Sequence, residues 1–230
     1  MSIRMRRGAA ALAAVSVLGL TAAACGGSDG DKKSEKGQSD AKPLTAAQMK
    51  AGVITPADLP AGYKPMGDGE SAGSGHKADK KECQPIAEFM NDKVSGATVG
   101  GDVDLQNANG DSLISQQVLT FSGSGAQDFM KEAATALGEC TAFSVEQGGQ
   151  KVEVKVEKIS GPKAGEDSHN FRMKMKMASL SIEIETNLLV ARQGTGITRI
   201  AHIPGDATGH KDFDDLAQRA GDKFAKAAQG

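Results

Sequence analysis

A pentapeptide in the first third of the chain matches the G-x-S-x-G motif that carries the nucleophilic serine of α/β-hydrolases. It spans residues 69–73 and centres on Ser71. In those enzymes a sharp turn between a strand and a helix lifts the serine clear of the sheet. Here no apolar strand precedes the motif, and the nearest histidine, His76, lies in the same polar, glycine-rich stretch. We therefore interpret this stretch as a loop, assign no catalytic residue and predict that the chain is not an enzyme.

The residue types that bind metals lack the spacing that metal sites require. The histidines form no H-x-x-x-H pair and the cysteines form no C-x-x-C pair. The oxygen-rich stretch 102–111 misses the EF-hand pattern, because Gln106 takes the fifth place and no glycine takes the sixth. We predict no metal and no cofactor, and interpret the histidines as surface or strand residues: His76, His169, His202 and His210.

Three methionines, Met173, Met175 and Met177, alternate with basic residues and so share one face of a predicted strand. Their flexible, polarizable thioethers suit an irregular core, which is the first interpretation. As functional residues, together with Ile182 and Ile184, they are the candidate wall of a ligand cleft; a Cu(I) site is the third possibility. With no tryptophan and one tyrosine, the chain offers few stacking platforms, which favours apolar or peptide-like ligands over glycans and nucleotides.

The N-terminal segment has the order of features of a secretory signal. Three arginines precede an apolar run over residues 9–20, and small residues over 21–24 lead to Cys25. The run is shorter than the roughly 20 residues that a membrane-spanning helix needs. A cysteine directly after the cut is typical of lipoprotein processing, although Ala22 stands where such signals usually have Leu, Val or Ile. We expect a signal peptide over 1–24 and acylation of Cys25; an ordinary secreted protein is the alternative.

The rest of the chain divides into a linker and one domain. Residues 25–44 are predicted to be disordered, because up to Pro43 they include no aliphatic residue larger than alanine. Residues 45–230 have the size of a single domain. Without residues 1–24 the chain keeps 24 basic and 29 acidic residues, a net charge of −5, which argues against nucleic acid as a partner. We predict an exported domain at the outer face of the cytoplasmic membrane, anchored by its acyl chains.

Cys83 and Cys140 are the two cysteines left once Cys25 is acylated. In an oxidising compartment such a pair is expected to form a disulfide. Closing so long a loop would stabilise the fold by about 4 kcal/mol in the chain-entropy model. Two free, buried thiols are the alternative.

The apolar periodicity predicts an α+β fold. Helices are predicted after Thr45, from Cys83 to Met90 and from Ser124 to about Gly138, with a hairpin turn at Asn109-Gly110. Later segments alternate with period two, as half-buried strands do. We expect a single antiparallel sheet with helices packed on one face and an amphipathic C-terminal helix that carries three large apolar residues: Phe213, Leu216 and Phe224.

One register can be predicted at this stage. After Met177 the apolar positions switch from odd to even numbers, which a straight strand cannot do without turning its core face to water. A turn or bulge near Ser179 is therefore implied. As a hairpin, it would place Met175 and Met173 opposite isoleucines and Lys174 opposite Glu183 or Glu185.

Several short motifs follow one another in a familiar order. They are the turn at 58–63, a cysteine at the start of the next helix, the strand Gln117–Phe121, a helix ending in Cys140, the stretches 165–168 and 189–194, and a terminal helix. Together they resemble the extracellular sensor domain of actinobacterial serine/threonine kinases of the PknH type, which also occurs as free-standing lipoproteins. The resemblance covers most of the chain after the linker.

This resemblance implies an antiparallel sheet with helices against it and a cleft for an unidentified ligand. The family commonly has four cysteines in two bridges, and an aromatic residue shortly before the cysteine that ends the helix. This chain keeps Cys83 and Cys140 and has Leu137 and Gly138 at that place. One bridge of the family pattern is therefore absent.

We predict a lipid-anchored, extracytoplasmic binding or sensor-like domain with a cleft for an apolar or peptide-like ligand. Its predicted partners are the membrane, through acyl chains on Cys25, and a small ligand or an envelope protein. One alternative is a lipid-carrier lipoprotein, whose sheet would wrap a deep apolar cavity. Another is a structural or accessory envelope protein that has no ligand.

Overall fold

The computed structural model describes residues 41–66, 75–177, 182–205 and 209–230. The predicted signal peptide, Cys25, most of the linker, Ser71 and the turn near Ser179 lie outside these ranges. Within them, no helix combines the length and the apolar character that crossing a membrane would require.

Eight antiparallel strands form one open sheet in the spatial order β1-β2-β3-β8-β7-β6-β5-β4. The strands are β1 (Lys64–Pro65), β2 (Thr98–Gln106), β3 (Leu113–Thr120), β4 (Ala142–Gln147), β5 (Gln150–Lys158), β6 (Asp167–Met177), β7 (Ile182–Gln193) and β8 (Gly196–Ile203). The predicted Asn109-Gly110 turn joins β2 to β3, and Gly110 has a φ of 76° that favours glycine.

Four α-helices accompany the sheet: α1 (Ala46–Ala51), α2 (Gln84–Ala87), α3 (Gly125–Glu139) and α4 (Gly209–Gln229). Thr45 caps α1 in a capping box with Gln48, as its position predicts. Short 3₁₀ turns at Lys81–Cys83 and Glu88–Met90 extend α2 on both sides. The α+β class, the single antiparallel sheet and the amphipathic C-terminal helix are confirmed.

The helices, expected together on one face, are divided between the two faces of the sheet. Leu188 and Val190 of β7 pack in the cluster that includes α2 and α3, whereas Leu189 and Ala191 pack in the cluster that includes α4. Neighbouring residues of a strand point to opposite faces. The continuous apolar run of β7 therefore marks a strand that is buried on both sides. We call these faces the α3 face and the α4 face.

The hairpin register between β6 and β7 agrees with the sequence prediction for Met175 and Lys174, but the prediction for Met173 is wrong, because Met173 lies opposite Thr186 and not opposite an isoleucine. Met175 lies opposite Ile184 and Lys174 lies opposite Glu185. The Lys174 Nζ is 3.3 Å from a carboxylate oxygen of Glu185. The alternation thus directs the methionines to the α3 face and places charged pairs such as Lys174 and Glu185 on the α4 face.

The Cys83–Cys140 disulfide is present, with a Cα to Cα distance of 5.2 Å. It ties the residue just before α2 to the residue that follows α3. Both sulfur-bearing residues are buried, with exposed fractions of 0% and 2%. The bridge therefore fixes α2 against α3 on one face of the sheet.

A row of polar side chains connects β3 and β8 to α4 on the α4 face. The Tyr63 hydroxyl shares a 2.9 Å hydrogen bond with Ser112 Oγ, which lies 3.1 Å from His202 Nε2. The imidazole of His202 stacks on the ring of Phe213 at a centroid distance of 6.3 Å. Burial lowers the pKa of His202, and the nearby Asp212 carboxylate opposes that shift only in part.

Because the folded state disfavours the protonated imidazole, stability should fall as the pH drops below the ordinary histidine pKa of about 6.5. The unfolded chain then binds a proton that the folded chain binds only at lower pH. The His202→Phe variant keeps the ring stacking but has no imidazole to protonate. Between pH 7.5 and 5.5 we expect its free energy of unfolding to fall by up to about 1 kcal/mol less than that of the natural protein. Urea unfolding at both pH values measures this difference. Equal losses in the two proteins would contradict the assignment.

Candidate ligand cleft

A cleft of about 380 Å³ opens on the α3 face of the sheet. Strands β3, β5, β6, β7 and β8 supply its floor, and the segment that follows α2 supplies one wall. Apolar side chains from the floor and the wall dominate its lining: Phe89, Met90, Val152, Met173, Met175, Met177, Ile184, Leu188 and Ala201.

The predicted methionine row forms part of the floor. Met173 is 3% exposed and belongs to the core cluster, while Met175 and Met177 are half-buried and pack against that cluster. All three line the cleft, together with Ile184. Ile182 is the register partner of Met177, and its side chain lies outside the described part of the chain. The row therefore joins the core at one end to the cleft at the other, so the two interpretations of the sequence are compatible.

Aromatic packing holds the wall in place. The Phe89 ring lies 5.6 Å from the ring of Phe129 on α3 and 5.2 Å from the ring of Phe171 on β6. Phe89 lies in the 3₁₀ turn that follows α2, and α2 begins directly after Cys83 of the disulfide. The bridge and the aromatic contacts thus fix the height of the wall above the sheet.

An asparagine at the end of the wall organises the neighbouring segment. Asn91 Oδ1 accepts hydrogen bonds from the backbone N–H groups of Gly75 and His76, at 3.0 and 2.8 Å. It also lies 3.0 Å from Nδ1 of the His76 ring. His76 is thereby held at the rim of the cleft.

Arg199 on β8 is the cation of the cleft, with an exposed fraction of 8%. Its Nη1 donates to the backbone oxygen of Glu88 at 3.0 Å, and its Nη2 donates to the backbone oxygen of Asn91 at 2.9 Å and to Gln117 Oε1. The guanidinium carbon lies 6.0 Å from the centre of the Phe89 ring. The side chain therefore bridges the floor and the wall.

Burial lowers the pKa of Arg199 to about 10, because removing the guanidinium from water disfavours its charge. The carboxylates of Asp92 and Glu88 act in the opposite direction without cancelling this effect. Glu88 itself has a raised pKa, first because it is buried and second because Glu132 is near. The arginine remains protonated at neutral pH, and its charge is incompletely compensated by the protein.

The floor of the cleft also carries a buried hydroxyl group, that of Thr186. Thr186 is 5% exposed and lines the cleft, and its Oγ1 has no hydrogen-bond partner among the described residues. An unpaired buried hydroxyl costs stability that a ligand group could recover. Thr186 lies opposite Met173 in the strand register, within the apolar part of the floor.

Sequence reasoning missed Arg199, Gln117 and Thr186. Arg199 is a charged residue inside a mostly buried strand, which is a usable signal for a site. Its contacts with Glu88 and Asn91 span 111 and 108 positions of the sequence, respectively. No local pattern indicates such a contact.

Among the described residues, the side chains that the sequence suggested for catalysis or metal binding form no common site. No three His, Cys, Asp or Glu side chains within 41–66, 75–177, 182–205 and 209–230 are grouped closely enough to hold a metal ion. His76 lines the cleft, His169 lies on β6 and His202 faces α4. Ser71 lies outside the described ranges.

Comparison with solved structures identifies the fold. The extracellular domain of PknH from Mycobacterium tuberculosis superposes with a TM-score of 0.58 and 13% sequence identity, over 82% of this chain and 98% of that domain. An uncharacterised protein from Mycobacterium smegmatis matches with a TM-score of 0.46 and 11% identity, over 81% of this chain and 98% of its own. No protein-family model matches the chain, and no curated protein does. The PknH-like fold that the sequence motifs predict is confirmed.

Proposed function

We propose that this chain is a lipid-anchored, extracytoplasmic binding domain with a sensor-like fold, whose cleft takes an apolar or peptide-like ligand. The observation that carries the proposal is the methionine-lined cleft between the sheet and the disulfide-tied wall. Its volume of about 380 Å³ falls within the range of roughly 300 to 1,000 Å³ that small-molecule sites occupy.

The chemistry of the lining supports ligand binding. Small-molecule sites are mostly apolar with a few convergent polar groups, and this cleft combines an apolar floor with Arg199, Gln117 and Thr186. Met175 and Met177 are half-buried, and methionine side chains adapt to ligands of varied shape. An apolar ligand would cover surface that the protein itself leaves half exposed.

Two observations support an extracytoplasmic location. Structural disulfides persist in oxidising compartments, and the Cys83–Cys140 bridge is buried within the fold. One structure with a similar fold is the extracellular domain of PknH. Together with the features of residues 1–25, they favour export followed by acylation of Cys25.

The shape of the cleft favours binding of a single ligand over bulk lipid transport. A carrier would wrap a deep cavity around its cargo, whereas this cleft lies open along one face of the sheet. A ligand-free accessory protein would have no need for a buried cation in an apolar cleft. These features rank the binding domain first, the carrier second and the accessory protein third.

We expect Met175→Asp to weaken the binding of the neutral apolar dye Nile red at least about tenfold, because an apolar ligand would have to desolvate the new carboxylate. Met175→Leu, which roughly conserves volume, should keep the affinity. The matched control is Met66→Asp at an exposed methionine outside the cleft, 38% exposed. Fluorescence titration measures binding, and circular dichroism verifies the fold. Equal affinity in Met66→Asp and Met175→Asp would contradict the cleft as the binding site.

The anchor is tested separately at Cys25. In an actinobacterial host fed with labelled palmitate, the natural chain should carry the label and sediment with membranes. Cys25→Ser should carry no label and should not sediment with them, because no acyl chains remain to bind the bilayer. Ala22→Leu, which supplies the usual residue of the signal, should remain labelled. A natural chain without label, or a labelled Cys25→Ser chain, would refute the anchor and leave the cleft proposal intact.

A further inference from the structure

The charge of Arg199 is the least compensated feature of the cleft. Its protein acceptors are two backbone carbonyl oxygens and one amide oxygen, all of them neutral. These bonds use three of the five N–H groups that a guanidinium carries. Among the described residues no carboxylate forms an ion pair with it within 4.0 Å.

The neighbouring acids do not fill this role. Asp92 lines the cleft, but it is half exposed to solvent, which screens its charge. Glu88 contributes its backbone oxygen to Arg199, while burial and Glu132 disfavour the ionised form of its side chain. An anion brought into the cleft would gain a charge-assisted hydrogen bond in a poorly solvated place.

The remainder of the floor restricts what such an anion can be. Between Leu188 and Met177 the lining is mostly apolar, and its polar side chains are those of Thr186, Ser115 and Gln147. A peptide lying there would bury backbone N–H and C=O groups with few partners, and each unpaired group costs free energy. A hydrocarbon chain incurs no such cost.

We propose that the ligand is a single-chain amphiphile whose anionic head group binds Arg199 while its hydrocarbon chain lies along the methionine row. This inference rests on the proposed function, since it names the ligand class of the same cleft. Arg199 and Gln117 set the head-group specificity. Met173, Met175 and Met177 accommodate the chain.

The probes are three ligands with one twelve-carbon chain each: dodecanoate and dodecyltrimethylammonium below their micelle-forming concentrations, and dodecanol below its solubility limit. For the natural domain we expect dodecanoate to bind at least about tenfold more tightly than dodecanol, and the ammonium ion to bind no better than dodecanol. Isothermal titration calorimetry gives the three affinities.

Gln117→Glu is the informative variant. It places a carboxylate on the atom position that already contacts Arg199, so it supplies the missing counter-charge without changing the shape of the side chain. We expect the preference for dodecanoate over dodecanol to disappear. Gln218→Glu on exposed α4 makes the same charge change away from the cleft and should keep the preference. Arg199→Met is a second variant and should also abolish it.

The binding results distinguish a failure of the head-group proposal from a failure of the proposed function. Equal binding of dodecanoate and dodecanol to the natural domain, or tighter binding of the ammonium ion, would overturn the anionic head group and leave an apolar cleft. A preference that survives in Gln117→Glu would overturn the role of Arg199. Binding of none of the three probes would overturn the proposed function as well.

Discussion

The disulfide between Cys83 and Cys140 is the constraint on which the cleft depends. It joins residues 57 positions apart and sets where α2 begins relative to the end of α3. From that point the chain carries Phe89 into contact with β6 and carries the backbone oxygens of Glu88 and Asn91 to Arg199. Without a fixed start for α2, the wall would depend on the contacts of Phe89 and Arg199, because the helix itself is only four residues long.

The second determinant of the cleft is the sheet, because helices cover its two faces to different extents. On the α4 face, β7 and β8 are closed over by a long amphipathic helix whose buried side chains include Phe213 and Phe224. On the α3 face the cover is shorter, and the methionine row runs from the core into the cleft. The resulting cleft is apolar along most of its length, with a buried cation at one end.

Local patterns in the sequence predicted much of this fold. The switch of apolar parity after Met177 predicted the pairing of Met175 with an isoleucine and of Lys174 with Glu183 or Glu185, because side-chain alternation ties register to burial. The division of helices between two faces was missed, although the unbroken apolar run Leu188–Ala191 indicates a strand buried on both sides. The role of Arg199 was also missed, because its partners Glu88 and Asn91 are distant in sequence. Both accept through backbone oxygens, which every residue type has, so the sequence does not indicate these contacts.

The central claim is that this cleft holds a ligand in the natural protein. Mass spectrometry of the domain isolated from its own cells under non-denaturing conditions, followed by solvent extraction, tests it most directly. The account predicts an adduct near one equivalent, released by the solvent and identified as an acyl-chain anion. Recovery of the domain without any adduct, or with a glycan or nucleotide in its place, would contradict the account.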